Sequence, residues 1–325
     1  MDRDRQGSAR RTEDQAEGSG YALPTTSGEF VVLYDAEDRP HPMQLQEAWL
    51  RFSTSDENLA CLQAPLVIAN GAQGWLSSMF AFEYAALFRG LLPFLSRGRL
   101  LFPLGGTSNH FRRAALEHVG GWDPYNVTED ADLGTRLRRF GYRCEMITHP
   151  TCEDGPTMTR DWISQRTRWF KGWMQTWLVH MRRPLVLLRD LGTGSFLVSQ
   201  IVFAGMVVSA LAHPILLGSA VFLLGELVLA GRVSLSKSVL IFLDSTNVIL
   251  GYLAFLALGF QTLTMREKTG FWRIVALTPP YWLLMSLAAW RALYQVIVRP
   301  HECGLMYQKH QALASAKALI PLQYR

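Results

Sequence analysis

Apolar and polar positions change rhythm twice along this chain. Residues 1–20 hold no apolar run; Arg, Asp, Glu, Gly and Ser dominate, which predicts a disordered leader and no signal peptide. From 21 to about 142, short apolar runs alternate with helical patterns, the cadence of an α/β domain. Phe30-Val31-Val32-Leu33-Tyr34 reads as a buried strand closed by Asp35, 62–68 as a second and 100–104 as a third, ended by Gly105-Gly106. Residues 111–119 read as a helix stopped by Gly120-Gly121, and Thr128 as the cap of another that runs over 129–140 to Gly141.

Two segments mix aromatic and charged residues. Residues 75–95 are apolar apart from Glu83 and Arg89, and read either as a core helix or as a helix in a membrane interface. Residues 161–183 set Trp162, Trp169, Trp173 and Trp177 among Arg166, Arg168, Lys171, Arg182 and Arg183, a mixture that favours the interface. Beyond 196 the apolar runs lengthen. Residues 196–229 would make one helix of roughly 51 Å, more than a hydrocarbon core of about 30 Å, so two spans hinged at His213-Pro214 are expected. Residues 239–263 form a third span and 274–298 a fourth, although Arg291 between Trp282 and Trp290 leaves the fourth open to an interfacial reading. Arg182, Arg183 and Arg189 place the preceding domain in the cytoplasm. A four-span count then puts the loop with Arg266, Lys268 and Arg273 outside, so one segment is expected not to cross.

The expected divisions are therefore a leader (1–20), a partial catalytic α/β domain (21–160), an interfacial helix (161–190), a helical transmembrane region (191–300) and a tail (301–325). Composition agrees: 49% of the 325 residues are apolar and only 18% charged, too greasy for an ordinary soluble protein. Four Cys form no CxxC pair and eight His show no metal-ligand spacing, which argues against a disulfide scaffold or structural zinc. The net charge of +5 gathers beside apolar runs, where anionic membrane lipid accounts for it; no recognition helix or aromatic sheet signature points to nucleic acid.

Three sites carry candidate chemistry. Asp35-Ala36-Glu37-Asp38 follows the first strand at its carboxyl end, where open α/β sheets place ligands, and carboxylates one residue apart can approach one divalent ion. A solvated acidic turn is the alternative. Thr128-Glu129-Asp130 puts two carboxylates in a first helical turn, where the dipole keeps them ionised and Asp130 could take a proton from a sugar hydroxyl; acidic capping is the alternative. Gln165, Arg168 and Trp169 share a helix face, combining a neutral hydrogen bonder, a fork-shaped cation and an aromatic platform suited to sugars and phosphates. A lipid-binding surface helix would use the same residues.

The order of these motifs, followed by apolar spans, resembles the membrane-integrated glycosyltransferases of family 2, the cellulose-synthase-like processive enzymes. Those enzymes carry a DxD-type metal motif, a TED motif and a QxxRW motif before membrane helices. The resemblance covers about 21–299. It implies a GT-A-type catalytic domain, Asp35 and Glu37 as ligands of Mg²⁺ or Mn²⁺ and the diphosphate, and Asp130 as general base. Glu129, Gln165, Arg168 and Trp169 then bind substrate. Gly105-Gly106-Thr107-Ser108-Asn109 is similar to the family's small-residue turn beside the sugar.

The implied reaction is inverting transfer of glucose from UDP-glucose to a growing polysaccharide, at a bacterial inner membrane with the catalytic part cytoplasmic. The family pattern departs here in two ways. Glu37 replaces the second Asp, leaving Asp38 as a competing ligand, and the nucleotide-binding strands that normally precede the position of Tyr21 are replaced by 15–20, so the sequence looks like the C-terminal portion of a longer enzyme. After Arg299-Pro300-His301-Glu302 the expected Trp and Lys-Thr are missing. A non-catalytic remnant or partner subunit of a polysaccharide synthase, inactive as a transferase, is the rival reading.

Overall fold

The computed structural model describes Leu23 and residues 27–123, 126–298 and 318–321. Strand β1 (Phe30–Tyr34) is five consecutive buried residues, as its β-branched and aromatic composition requires of a central strand. It pairs antiparallel with β5 (Asn109–Arg112), which pairs antiparallel with β3 (Leu59–Gln63), and β3 pairs parallel with β6 (Arg143–Met146). The other edge of β1 is taken by β8 (Ala318–Pro321), from the tail, giving the sheet order β6-β3-β5-β1-β8. A second sheet, β2-β7-β4, joins β2 (Arg39–Pro40), β7 (Thr151–Glu153) and β4 (Leu66–Ile68). Helix α1 (Gln44–Ser53) buries Ala48 and Phe52 in the small core under Phe30.

The strand expected over 62–68 is two strands in two sheets. Pro65, which has no amide hydrogen to donate, stands between them. Residues 100–104 are not a strand: the Leu101 N–H donates to Ser195 Oγ (3.1 Å) and that of Gly105 to Gln63 Oε1 (2.9 Å), so side chains take the place of a ladder. The helix expected over 111–119 begins as β5, because His110 and Phe111 pair with Val32 and Val31; only Arg113–His118 (α3) is helical, and Gly120 and Gly121 at positive φ end it as expected. Helix α4 (Glu129–Arg139) lies where the sequence put it.

Helix α2 (Trp75–Arg97) passes through a π turn at Leu87–Leu91. Helix α5 (Thr159–His180) is the Trp-rich segment. The chain then runs through α6 (Pro184–Ser199), kinked at Gly192 (φ 73°), a π turn at Gln200–Gly205, and α7 (Met206–Ala230). Pro214 sits inside α7 without breaking it, so the expected hinge at His213-Pro214 is absent and the helix runs unbroken from Met206 to Ala230. The bend falls instead at Gly192, where a left-handed φ is cheap. Helices α8 (Leu235–Thr262) and α9 (Phe271–Val298) follow. With α2 and the run Pro184–Ala230, these make four helices long and apolar enough to cross a membrane.

The loop 263–270 and the end of α8 pack against α2 of the α/β domain. The end of α8 packs Gly259 against Phe82, and a Cβ on Gly90 of α2 would lie 2.9 Å from Thr262. Arg89 pairs with Glu267 at 2.7 Å. Helix α9 then stays against the domain along its length. Tyr281 meets Trp162 of α5 at 5.1 Å, Ala288, Ala289 and Ala292 share a core with Phe170, Met174, Val207 and Ala210, and Arg291 and Gln295 lie beside Arg168. Small residues permit that close approach. The segment the sequence left open to an interfacial reading thus lies across the base of the domain, between it and the α7–α8 pair.

Candidate functional site

The acidic loop is held by its own backbone. The Asp35 N–H lies 2.9 Å from both Asp38 Oδ2 and Thr107 Oγ1, the Asp38 N–H donates to the Asp35 carbonyl (3.1 Å), and the Thr107 hydroxyl donates to the Asp38 carboxylate in a short contact. Asp38 therefore spends one oxygen on holding the turn; Asp35 beside it is half-buried and Glu37 is exposed. The 105–108 loop is fixed in turn by Gln63, whose amide donates to the Thr107 carbonyl at 2.9 Å, and by Asn109, which donates to the Gly105 carbonyl at 2.6 Å.

Gly106 carries this loop to the second motif. A Cβ there would lie 3.3 Å from Asp130 Oδ2, so the bare backbone is what lets the buried Asp130 carboxylate sit beside the loop that anchors Asp35. Half-buried Glu129 precedes it in the first turn of α4. Thr128 does not cap α4 with its side chain; its N–H donates to Asn126 Oδ1 at 3.0 Å and its hydroxyl lies 3.5 Å from the same oxygen. The reason lies in α5: a Cβ on Gly172 would overlap the Thr128 side chain, and Asn126 donates to Thr176 at 2.9 Å. The glycine three residues after the QxxRW motif's Trp169 therefore lays α5 directly on the start of the TED helix.

Gln165, Arg168 and Trp169 border that contact on different sides. Gln165 is half-buried, and its Oε1 is buried with no hydrogen-bond partner among the described residues, an acceptor available to a ligand. Arg168 is exposed and leans toward Val127 and Arg291 of α9. Trp169 is half-buried toward α2, with its ring 6.3 Å from Phe80.

Two groups escaped the sequence reading. Arg166 is 1% exposed, makes a two-pronged pair with Glu83 of α2 (2.6 and 2.7 Å), and stacks within 4.5 Å of the Trp169 ring centre and 5.0 Å of Phe80. The Tyr281 hydroxyl of α9 donates to the same Glu83 carboxylate at 2.5 Å. The lone Glu83 in an apolar helix was the available signal. The second is Glu153, at the end of β7. Burial, reinforced by Asp38, Asp35 and Glu37, pushes its carboxyl up to about 8.

That upward shift bears on the implied ion. Among the described residues no three His, Cys, Asp or Glu side chains converge to hold a metal by themselves. Asp35 and Glu37 nonetheless fit an ion that takes one or two protein carboxylates plus substrate phosphates; burial accounts for most of the Glu153 shift, and the smaller part added by Asp38, Asp35 and Glu37 is repulsion of the kind a divalent cation relieves.

Comparison with known proteins adds the following. The profile of "Glycosyl transferase family group 2" matches residues 30–299. The chain is 27% identical over 191 residues to a beta-monoglucosyldiacylglycerol synthase of Trichormus variabilis, covering 57% of this chain and 39% of the relative. It is 29% identical over 179 residues to the UDP-forming cellulose synthase catalytic subunit of Xanthomonas axonopodis pv. citri, covering 51% and 23%. It thus spans about two fifths or less of these relatives. Among solved structures, a Pyrobaculum calidifontis mannosyltransferase in complex with GDP-Man and Mn²⁺ is similar at TM-score 0.44 and 17% identity, over 87% of this chain and 66% of that one.

Proposed function

The chain belongs to glycosyl transferase family group 2, and from that premise we propose that it works at a membrane as an inverting hexosyltransferase with a GT-A-type site, moving glucose from UDP-glucose to a growing polysaccharide. The observation that supports this best is the meeting of three sequence-distant motifs through three small contacts: Thr107 on the acidic loop, Gly106 on Asp130, and Gly172 on Thr128.

In this reading Asp130, ionised at the helix start, accepts the proton of the acceptor hydroxyl as that oxygen attacks the anomeric carbon from the face opposite the leaving diphosphate, which inverts the centre. Glu129 and the open carbonyl of Gln165 hold sugar hydroxyls, Trp169 offers the aromatic face, and Arg168 supplies a fork for phosphate oxygens. Asp35 and Glu37 would hold Mg²⁺ or Mn²⁺, whose chemistry is neutralisation of the diphosphate charge. The apolar helices seat the enzyme in a bacterial inner membrane with the α/β domain cytoplasmic. A lipid acceptor is the second reading, favoured by the name of the cyanobacterial relative.

The test is UDP release by the purified chain from UDP-glucose with Mn²⁺, with oligosaccharide or diacylglycerol as acceptor. Asp130→Asn is expected to cut turnover by roughly 10² to 10⁴ with donor affinity retained. Asp35→Asn instead weakens metal and donor binding. Release that Asp130→Asn leaves intact removes the assigned base, and no release under any condition supports the non-catalytic partner or remnant.

A further inference from the structure

Arg166 stands two residues before Arg168, yet nothing of it is left for a phosphate. It is 1% exposed, and both prongs of its guanidinium are taken by the Glu83 carboxylate at 2.6 and 2.7 Å. What remains of the group is its flat face, and aromatic rings gather round it: the ring centre of Trp169 lies at 4.5 Å, that of Phe80 at 5.0 Å and that of Trp162 at 5.3 Å. A guanidinium suits that place because it is planar, weakly hydrated and always charged, so it stacks on an indole as a lysine ammonium does not.

Apolar residues of like volume would hold the fold as well as an enclosed ion pair does, so the pair's neighbours must show what it is for. Arg166 precedes Trp169 by three residues and lies on the same face of α5, where its guanidinium covers the indole from one side. Phe80, itself buried, meets the same indole at 6.3 Å. Glu83 is fixed in turn by the Tyr281 hydroxyl of α9, which donates to it at 2.5 Å, and the Tyr281 ring packs on Trp162 at 5.1 Å. Trp169 is therefore backed by a stack that begins on α9, passes through Glu83 of α2 and ends at its ring, while part of the residue stays open to solvent.

We propose that Glu83, Arg166 and Tyr281 are positioning residues for sugar binding: they set the Trp169 indole at one angle, so that its open side receives the apolar C–H face of an acceptor sugar ring. This rests on the reading of Trp169 as an aromatic platform given above. A ring fixed beforehand loses no rotamer freedom when the sugar arrives, so the brace acts on acceptor affinity. The donor diphosphate, assigned to Asp35, Glu37 and Arg168, does not depend on it.

Cellotetraose and UDP with Mn²⁺ are titrated separately into the full chain in detergent by calorimetry, and melting temperatures are recorded alongside. The unaltered chain is expected to bind cellotetraose and Trp169→Ala to lose it. Glu83→Leu/Arg166→Met, which fills the same space without charge, should melt near the unaltered chain yet bind cellotetraose about tenfold more weakly, the worth of a buried cation on an indole, with UDP affinity unchanged. Arg166→Lys, which keeps a charge opposite Glu83 but has no flat face, should weaken cellotetraose to a similar extent. Tyr281→Phe, which keeps the ring but releases Glu83, should weaken it about threefold. Full cellotetraose affinity in the double variant or in Arg166→Lys overturns the brace, as does an equal loss of UDP binding, which marks distortion of the whole site. Failure of the unaltered chain to bind cellotetraose, or indifference to Trp169→Ala, would instead overturn the platform and the brace with it, so the two failures are distinguishable.

Discussion

Arg166 and Glu83 show how a single buried pair can tie a site to the helices beneath it. The cation is enclosed by Trp162, Phe80 and Trp169, and its partner carboxylate is shared with Tyr281 of α9. Removing one partner of such a pair strands the other, at a cost of about 3–5 kcal/mol, while replacing both by apolar residues is often nearly neutral. Glu83→Gln or Arg166→Met alone should therefore lower the melting temperature of the detergent-solubilised chain markedly. The double variant Glu83→Leu/Arg166→Met should recover most of that loss, and a double variant as unstable as the sum of the singles would show independent roles.

Asp132 makes the corresponding prediction for pH. Burial alone would raise its carboxyl, but hydrogen bonds from His180 (2.9 Å) and Arg136 (2.6 Å) outweigh this and hold it below the ordinary carboxylate range. A carboxyl lowered by folding contributes stability above its unfolded value, and that contribution is lost as pH falls toward the folded one. Acid titration of stability should therefore show a limb below about pH 4 that Asp132→Asn flattens, with that variant less stable at neutral pH by on the order of 2–4 kcal/mol.

At the scale of elements, the sequence was legible where local signals agreed. Strand β1 announces itself by five apolar residues before an Asp, and α4 by its acidic first turn and Gly141 at positive φ. What escaped depended on distant partners. Residues 100–104 have strand composition yet find Ser195 and Gln63 instead of a strand, and Phe111 and Arg112, expected to open a helix, pair with β1. The motifs could be placed on their elements and Gly106 stood in a small-residue turn, but its approach to Asp130 and the docking role of Gly172, a lone glycine in a Trp-rich helix, depend on partners distant in sequence.

Gly172 is accordingly the most revealing position to change. Ala should strengthen α5 slightly as a helix, by roughly 0.5–1 kcal/mol, but its methyl would occupy the space of the Thr128 side chain and force α4 and α5 apart, at about 1–3 kcal/mol. If Asp130 is the base proposed above, the expected result is a modest net change in stability and a much larger loss of turnover, because displacing it by even a fraction of an ångström misaligns it. A companion Thr128→Ala, which removes both the methyl and the hydroxyl that lie closest to the new Cβ, should restore part of the turnover. Stability and turnover falling in proportion would mean that the contact only supports the fold.

The whole molecule follows from where its helices begin and end. A 28-residue helix such as α9 is about 42 Å long, enough to cross a bilayer, yet it keeps company with α2, α5 and Val127 from one end to the other. Very little of α8 is buried, in contrast, as befits a helix facing lipid. The arrangement expected in a membrane is a single crossing hairpin, Pro184–Ala230 outward and Leu235–Thr262 back, with α9 lying at the domain-side interface. The loop 263–270, with Arg266 and Lys268, then lies with the α/β domain, in accord with the positive-inside rule, and the short loop holding Arg232 lies opposite. Single cysteines at Arg232 and Arg266, in a chain whose own Cys61, Cys144, Cys152 and Cys303 are replaced by Ala or Ser, should label oppositely in intact cells. A membrane-impermeant maleimide should reach position 232, while position 266 should react only after the membrane is opened, as should a cysteine placed at Arg291. Labelling of position 291 from outside would make α9 a third crossing and detach it from the base of the domain.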